Sequence, residues 1–375
     1  MKLDNPFPEY GYFGPEYFCD REKETAQLME ALRNGSNMTL MSPRRIGKTG
    51  LIHHVFGRMK ALDRNVQCFY VDIFPTKTFT QMVQLMANAV IGKLDTPSQS
   101  IKRKLNRFVS ALRPTMTPDP LTGMPTFSFT IAPEHAGETL AQVFEYMKES
   151  GRQCYIAIDE FQQVSRYSEL GVDALIRSII QFIPNVHIVF SGSQQHILAD
   201  MFMSPEHPFF NSSQIMSIRE IDSDRYRDFA NGFFAKQKRE MTEESFSYLY
   251  NLVDGQTWYI QKILNRLYRT PKGGLGSDDV LGAVNAVVCE QEINYQNNYN
   301  LLTENQAVLL TAIARQGAVT SPTALEFVVR HRLPAPSSIK LALQSLLDKE
   351  YLFHDPKRGY IVYDRFFGLW LKRLA

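Results

Sequence analysis

Five short apolar runs punctuate the first 220 residues, and between them the spacing of apolar side chains lengthens to that of a helix. Residues 37–41, 67–73, 153–158 and 187–190 read as strands, and residues 215–218 as a weaker fifth. Residues 50–60 and 79–94 carry apolar positions at helical spacing. Strands alternating with helices predict a parallel sheet covered on both faces. A basic helical stretch over 98–113 is followed by PTMTPDPLTGMPTFSFTI. Alternation over 126–131 predicts a small hairpin strand, with its turn near Leu121 to Gly123, and the whole of 95–135 reads as an insertion between the second and third strands.

From residue 221 the strands give way to helical patterns, marked by Phe229, Phe233 and Phe234 and then by Phe246, Leu249 and Leu252, with a break at residues 273–277. After Leu302 the pattern predicts helices over 304–314, 322–330 and 337–350, the last opened by a Ser337 cap. Short strands over 351–354 and 359–363 flank a turn at 355–358. Helix, helix, helix, hairpin is the order of a winged helix. The expected organisation is a core over 1–220, a helical domain over 221–300 and a winged helix domain over 301–375. No internal repeat or low-complexity tract is visible.

Composition narrows the function classes. Among 375 residues there are 41 Lys and Arg against 39 Asp and Glu, a formal net charge of +2. That balance excludes a protein that coats nucleic acid by bulk charge, so any such binding needs a local patch. With 44% hydrophobic and 21% charged residues, the chain has enough apolar surface for real cores. Cys19, Cys68, Cys154 and Cys289 lie far apart, with no CxxC pair and no accompanying His cluster. A disulfide framework or structural zinc is not expected, and a reducing compartment is. The first residues lack the apolar segment of a secretory signal, and no apolar run approaches the ~18 residues of a membrane span. The expectation is a soluble, cytoplasmic protein.

The strongest chemical signal is Ser42-Pro43-Arg44-Arg45-Ile46-Gly47-Lys48-Thr49, which follows a strand and opens a helix. The phosphate-binding pattern is G-x-x-x-x-G-K-[ST], with Ser42 here in place of the first Gly. Such a loop wraps a phosphate in backbone N–H groups and aims a helix N-terminus at it. Lys48 would neutralise β and γ oxygens and Thr49 would offer its hydroxyl to Mg²⁺. Gly47 and Gly50 keep the backbone close to the phosphates. A chance GKT is the other reading, and the strand before it and the helix after it weigh against that.

The second signal is Tyr155-Ile156-Ala157-Ile158-Asp159-Glu160, an apolar strand ending in two carboxylates. Asp159 would hold Mg²⁺ through water, and Glu160 would orient and polarise the attacking water. The alternative is a strand capped by a solvated acidic pair. The next strand ends in Phe190-Ser191-Gly192-Ser193-Gln194 and should lie between the other two. A polar side chain at its tip, Ser191 or Ser193, can reach the γ-phosphate or the water.

These motifs, in this order, resemble the archaeal-type ATPases of the AAA+/STAND group of P-loop NTPases. Asn5-Pro6-Phe7 with Phe18-Cys19-Asp20-Arg21-Glu22-Lys23-Glu24 is similar to that family's opening box, Asp20 replacing its Gly. Gly255-Gln256-Thr257-Trp258-Tyr259-Ile260-Gln261 resembles its lid motif, with Thr257 for Pro. Residues 360–367 with Trp370-Leu371 resemble its closing motif, with Arg365 for Pro. The resemblance covers nearly the whole chain. It implies an α/β P-loop core with a helical lid and a C-terminal winged helix, and ATP with Mg²⁺ as ligands. It further implies that Phe18 and Arg21 flank the adenine and that Gln256 to Tyr259 cover it. Phe18 reads equally as a core aromatic, and Trp258 as lid packing. Arg44, Arg45 and Arg219 are candidate γ-phosphate sensors, with surface roles as the alternative.

Two functions follow as expectations. One is a Mg-dependent ATPase acting as a nucleotide-driven switch on an unidentified protein partner, as a monomer or weak oligomer. The other is an ATP-regulated DNA-binding protein. Residues 301–375 hold ten Lys and Arg against six Asp and Glu, and Lys357 and Arg358 sit where a wing touches phosphate. The third helix offers Ser337, Ser338, Lys340 and Gln344, few of the side chains that read bases. Lys102, Arg103, Lys104 and Arg107 form a second basic cluster, or a solvated helix face. A nucleotide-binding scaffold without turnover is a third reading, disfavoured by the acidic pair.

Overall fold

The computed structural model describes residues 3–91, 93–94, 113–118, 125–169, 171–271 and 273–374. The chain divides into two compact units, residues 11–220 and residues 1–10 with 221–375.

In the first unit, α1 (Glu22–Arg33) precedes β1 (Met38–Met41), α2 (Lys48–Leu62), β2 (Gln67–Asp72) and α3 (Phe79–Val90). After an antiparallel pair, β3 (Arg113–Pro118) and β4 (Pro125–Thr130), come α4 (Ala136–Glu149), β5 (Cys154–Asp159), α5 (Val172–Ile180), β6 (Val186–Gly192), α6 (Gln195–Met203) and β7 (Gln214–Ser217). Five strands form a wholly parallel sheet in the order β2-β5-β6-β1-β7. The five apolar runs are these strands, and β6 lies between β5 and β1. The basic stretch up to residue 112 and the turn at 121–123 lie outside the described residues.

Both faces of the three inner strands, β1, β5 and β6, are dry, which is why they read as unbroken apolar runs, whereas the edge strands β2 and β7 are partly exposed. Cys154, Ile156 and Ile158 of β5 face one core with Phe69, Val71, Ile188 and Phe190, under α3, α4, α5 and α6. Tyr155 and Ala157 face the other with Met38, Leu40 and Val189, under α1 and α2. Strand alternation therefore puts Asp159, two residues beyond Ala157, on the α2 face. Tyr70, packed against that second core, and Ser191, two beyond Val189, point the same way.

The second unit is helical from α7 (Ser223–Phe234) through α8 (Glu243–Leu252), α9 (Thr257–Tyr268), α10 (Ser277–Glu290) and α11 (Glu292–Asn300). It closes with α12 (Glu304–Gln316), α13 (Leu325–His331), α14 (Pro336–Asp348), the antiparallel pair β8 (Leu352–Asp355) and β9 (Gly359–Val362), and α15 (Arg365–Leu371). This is the expected winged helix order, with one correction. No Ser337 cap opens α14: the helix starts one residue earlier at Pro336, its N-cap is Ala335 and no side chain caps it. Proline's fixed φ suits the first helical position, where the missing N–H costs nothing.

Residues 3–10 belong to this unit. Phe7 is fully buried among Phe233, Phe234 and Tyr268. Asn265 donates to the Phe7 carbonyl at 2.7 Å, and Asn5 donates to the Asn265 carbonyl at 2.9 Å. Asp254, in the turn between α8 and α9, bridges Arg358 of the β8–β9 turn at 2.9 Å and the buried Arg365 at 3.0 Å. The Tyr259 hydroxyl accepts the Arg365 N–H. Among the described residues no helix is long and apolar enough to cross a membrane.

Candidate nucleotide site

The chain leaves β1 at Met41 and enters α2 at Lys48, two residues earlier than the apolar spacing suggested. Between them Arg45 and Gly47 adopt left-handed backbone, φ 68° and 98°. Gly47 is the N-cap of α2. A Cβ there would stand in open space, so it is the backbone angle, not crowding, that calls for glycine. Successive N–H groups in such a turn converge into an anion-binding concavity at a helix N-terminus. Arg21 braces the turn from behind, donating to the Ile46 carbonyl at 3.2 Å and pairing with Glu24 at 3.0 Å.

Lys48 is buried and its ammonium lies 3.8 Å from Asp159 Oδ1 and 3.7 Å from Glu160 Oε1. Thr49 donates its hydroxyl to Asp159 Oδ2 at 3.1 Å. Motifs 110 residues apart thus share one site. Asp159 also accepts from the Ser191 hydroxyl at 2.6 Å, the Tyr70 hydroxyl at 2.6 Å and the Glu160 N–H at 3.0 Å. Burial alone would raise its pKa, but Lys48 and these hydrogen bonds outweigh burial and hold it below the usual carboxylate value. Tyr70 is displaced upward, first by burial and then by the Asp159 charge, so its phenol stays protonated and donating.

Glu160 turns the chain out of β5 in left-handed backbone, φ 57°. Its Oε2 accepts from the Gln162 amide, from the Ser193 hydroxyl at 2.8 Å and from the Ser193 N–H at 3.3 Å. Arg44 in turn donates to the Ser193 hydroxyl at 3.2 Å and lies over the Phe74 ring. The two serines left as alternatives therefore separate: Ser191 serves Asp159 and Ser193 serves Glu160. Ser42 is buried and donates to the Pro43 carbonyl. Arg219 is exposed.

The residues expected beside the base divide as well. Arg21 is buried behind the loop. Phe18 lies against Gly50, 3.4 Å from where a Cβ would stand, and stacks on His54 with ring centroids 4.4 Å apart. Tyr12 hydrogen-bonds His54 Nδ1 at 2.8 Å and meets Phe18 edge-on. Tyr12 and His54 carry no motif signal. Tyr70 escaped notice for the same reason, being one more aromatic in an apolar strand.

The donor set suits magnesium with a nucleotide rather than a metal held by protein alone. Among the described residues no group of three or more His, Cys, Asp and Glu could enclose an ion. One hydroxyl and one carboxylate, Thr49 and Asp159, are what an ion that keeps several waters and takes the rest from phosphate requires. Held by Thr49 and Asp159, such an ion would supply positive charge to offset that of the phosphates.

Comparison with known proteins bears on the family and the fold. A sequence profile described as an ATPase domain predominantly from Archaea matches residues 18–263, and one described as a probable winged helix domain matches residues 293–373. An uncharacterised ATP-binding protein of Methanocaldococcus jannaschii is 29% identical over 161 residues, 39% of this chain and 43% of that protein, so the match spans less than half the relative's length. The Walker-type ATPase of Pyrococcus abyssi superposes with a TM-score of 0.65 at 16% identity, over 98% of this chain and 99% of that one. The ORC2 protein of Aeropyrum pernix, solved in ADPNP–ADP complexes, gives 0.60 at 13%, over 98% and 95%. At these identities the structural likenesses show a shared P-loop fold.

Proposed function

Since this chain belongs to the family of ATPase domains found predominantly in Archaea, we propose that it binds Mg-ATP in the β1–α2 loop, hydrolyses it, and works as a nucleotide-driven switch on a protein partner. The observation that carries the reading is that Lys48 lies 3.8 Å from Asp159 and 3.7 Å from Glu160 while Thr49 donates to Asp159 at 3.1 Å, so the loop and the acidic pair meet in one place. Loop amides and Lys48 grip the β and γ phosphates. Thr49 and Asp159 hold the magnesium ion. Glu160 accepts a proton from the water that attacks the γ-phosphorus, and the bond to the β–γ bridging oxygen breaks to release ADP. Ser193 fixes Glu160, and Arg44, through Ser193, ties the loop to that carboxylate. The proposed organisation is the core over 11–220 with its 95–135 insertion, the lid over 221–300 with residues 3–10 packed on it rather than on the core, and the winged helix over 301–375. Lys48→Ala should abolish ATP binding, and Glu160→Gln should retain binding while turnover falls by about 10²-fold or more. Wild-type turnover in Glu160→Gln would remove the assigned role.

A second reading is ATP-regulated DNA binding, favoured by exposed Lys357 and Arg358 at the tip of the β8–β9 turn. Against it, the outer face of α14 presents Ser337, Lys340, Leu341, Gln344 and Asp348, with no arginine, and Arg358 is engaged by Asp254. Affinity for duplex that falls steeply with salt would support this reading. No binding at low salt would end it.

A further inference from the structure

Tyr70 belongs to no phosphate-binding motif, yet it makes one of the shortest hydrogen bonds at the site, 2.6 Å to Asp159 Oδ2. Strand geometry explains how. Asp72 is the register partner of Asp159 across β2 and β5, so Tyr70, two residues back on the same face, reaches forward along the strand to the carboxylate. On the other side, β6 continues the register that pairs Ile158 with Phe190 and brings Ser191 level with Asp159. Hydroxyls from both neighbouring strands therefore hold opposite oxygens of one carboxylate, Ser191 on Oδ1 and Tyr70 on Oδ2.

An ionised carboxylate offers about four lone-pair sites. At Asp159 the donors are Ser191 and the Glu160 N–H on Oδ1, and Tyr70 and Thr49 on Oδ2. Thr49 can turn a lone pair to an arriving cation while its hydroxyl hydrogen keeps its bond to Oδ2. All four donors can stay where they are, and together they fix which way the carboxylate faces.

We propose that Tyr70 is a positioning residue for the metal side of the nucleotide site. Its hydroxyl, opposed by that of Ser191, fixes the plane of the Asp159 carboxylate so that Oδ2 faces Thr49 and the metal side of the site. The inference rests on the ATP-site reading above and deepens it. A packing role alone would reside in the ring, which lies 4.7 Å from the His53 ring. The positioning role resides in one oxygen atom.

The test removes that atom. Tyr70→Phe keeps the ring against His53. Wild type and variant, as the full chain, are titrated with Mn²⁺ in the presence of ADP, with free manganese read by electron paramagnetic resonance. ADP affinity is measured separately in EDTA. Loss of an outer hydrogen bond to a metal-side group should raise the Mn²⁺ midpoint about tenfold, with metal-free ADP affinity unchanged within about twofold. Ser191→Ala, which strips the opposite oxygen, should raise the midpoint comparably and gives a second measurement if the phenylalanine variant melts early. A Mn²⁺ midpoint within about twofold of wild type in either folded variant overturns the inference while leaving the ATP site standing. Failure of the wild type to take up Mn²⁺ with ADP overturns both.

Discussion

Gly192, at the end of β6, is where packing and the proposed chemistry meet. A Cβ added there would overlap Gln162 Oε1 outright and stand 2.7 Å from Leu198 Cδ1, where ordinary carbon contacts are about 3.5–4.0 Å. Gln162 and Leu198 are both buried, so neither can retreat into solvent. Gly192→Ala must therefore push the Gln162 amide off Glu160, whose Oε2 it holds. Overpacking of this kind costs about 1–3 kcal/mol, and a hydrogen bond to a charged acceptor contributes about 1.5–3 kcal/mol. Because the amide can find some replacement partner, a net loss of about 2 kcal/mol is expected. For a unit of this size that corresponds to a fall in melting temperature of roughly 4–8 °C. Turnover should drop several-fold with ATP binding retained, because the displaced group orients Glu160 and touches no phosphate-binding residue. The assay is a double-mutant cycle with Gln162→Ala, read by urea denaturation and by ATP hydrolysis. Truncating Gln162 empties the space the new methyl needs, so the double variant should be about as stable as Gln162→Ala alone. Additive losses would refute the steric argument.

Two further outcomes are expected. Asp254→Ala strands the buried Arg365 and frees Arg358, and removing one partner of a buried pair costs about 3–5 kcal/mol; with Asp254 a quarter exposed, the low end should appear as a lower denaturation midpoint for the C-terminal unit, and an unchanged midpoint would show the bridge to be inert. His187 is held below the usual imidazole pKa by burial, so the unfolded chain takes up a proton near pH 6.5 that the folded chain resists. Stability should therefore fall as pH drops below about 6.5 toward the folded value, by at most about 1.4 kcal/mol per pH unit for this group, and His187→Gln should flatten that slope in urea titrations between pH 7.5 and 5.5.

What could be read from the sequence was what obeys a period or a motif. The three inner strands are dry on both faces, so each appeared as an apolar run, the partly exposed edge strand β7 gave the weakest, and the phosphate loop and acidic pair stood at strand ends where the parallel fold gathers them. Helix boundaries slipped where chemistry overrides hydrophobic spacing: Lys48 and Thr49 begin α2 without contributing to its apolar stripe, and Pro336 starts α14 ahead of the serines that looked like its cap. Tyr70 was invisible because an aromatic in a strand reads as core whether or not its hydroxyl finds a carboxylate. The Asp254 bridge joins residues more than a hundred positions apart, and no local pattern announces such a pair. Phe7 looked like part of a box that continues at Phe18, but its ring is buried in the helical unit with Phe233 and Phe234.

The two carboxylates at the end of β5 are adjacent in sequence and unlike in setting, and that difference divides their proposed work. Asp159 is held by hydroxyls on the strands either side of it, by a backbone N–H and by Lys48, all fixed to the sheet or to the first turn of α2. Burial works against its charge, and the Lys48 ammonium together with these hydrogen bonds overcomes it, as a ligand for a cation needs. Glu160 leaves the sheet in left-handed backbone, and its side-chain donors, Gln162 and Ser193, flank Gly192 or reach toward it. Its orientation thus depends on packing beyond the strand ends. Changes around Asp159 should accordingly weaken metal-dependent nucleotide binding, whereas changes around Gly192 should spare binding and slow turnover. If Gly192→Ala and Tyr70→Phe proved indistinguishable in both metal affinity and hydrolysis rate, the division of labour between the paired carboxylates would be wrong even with ATP correctly placed.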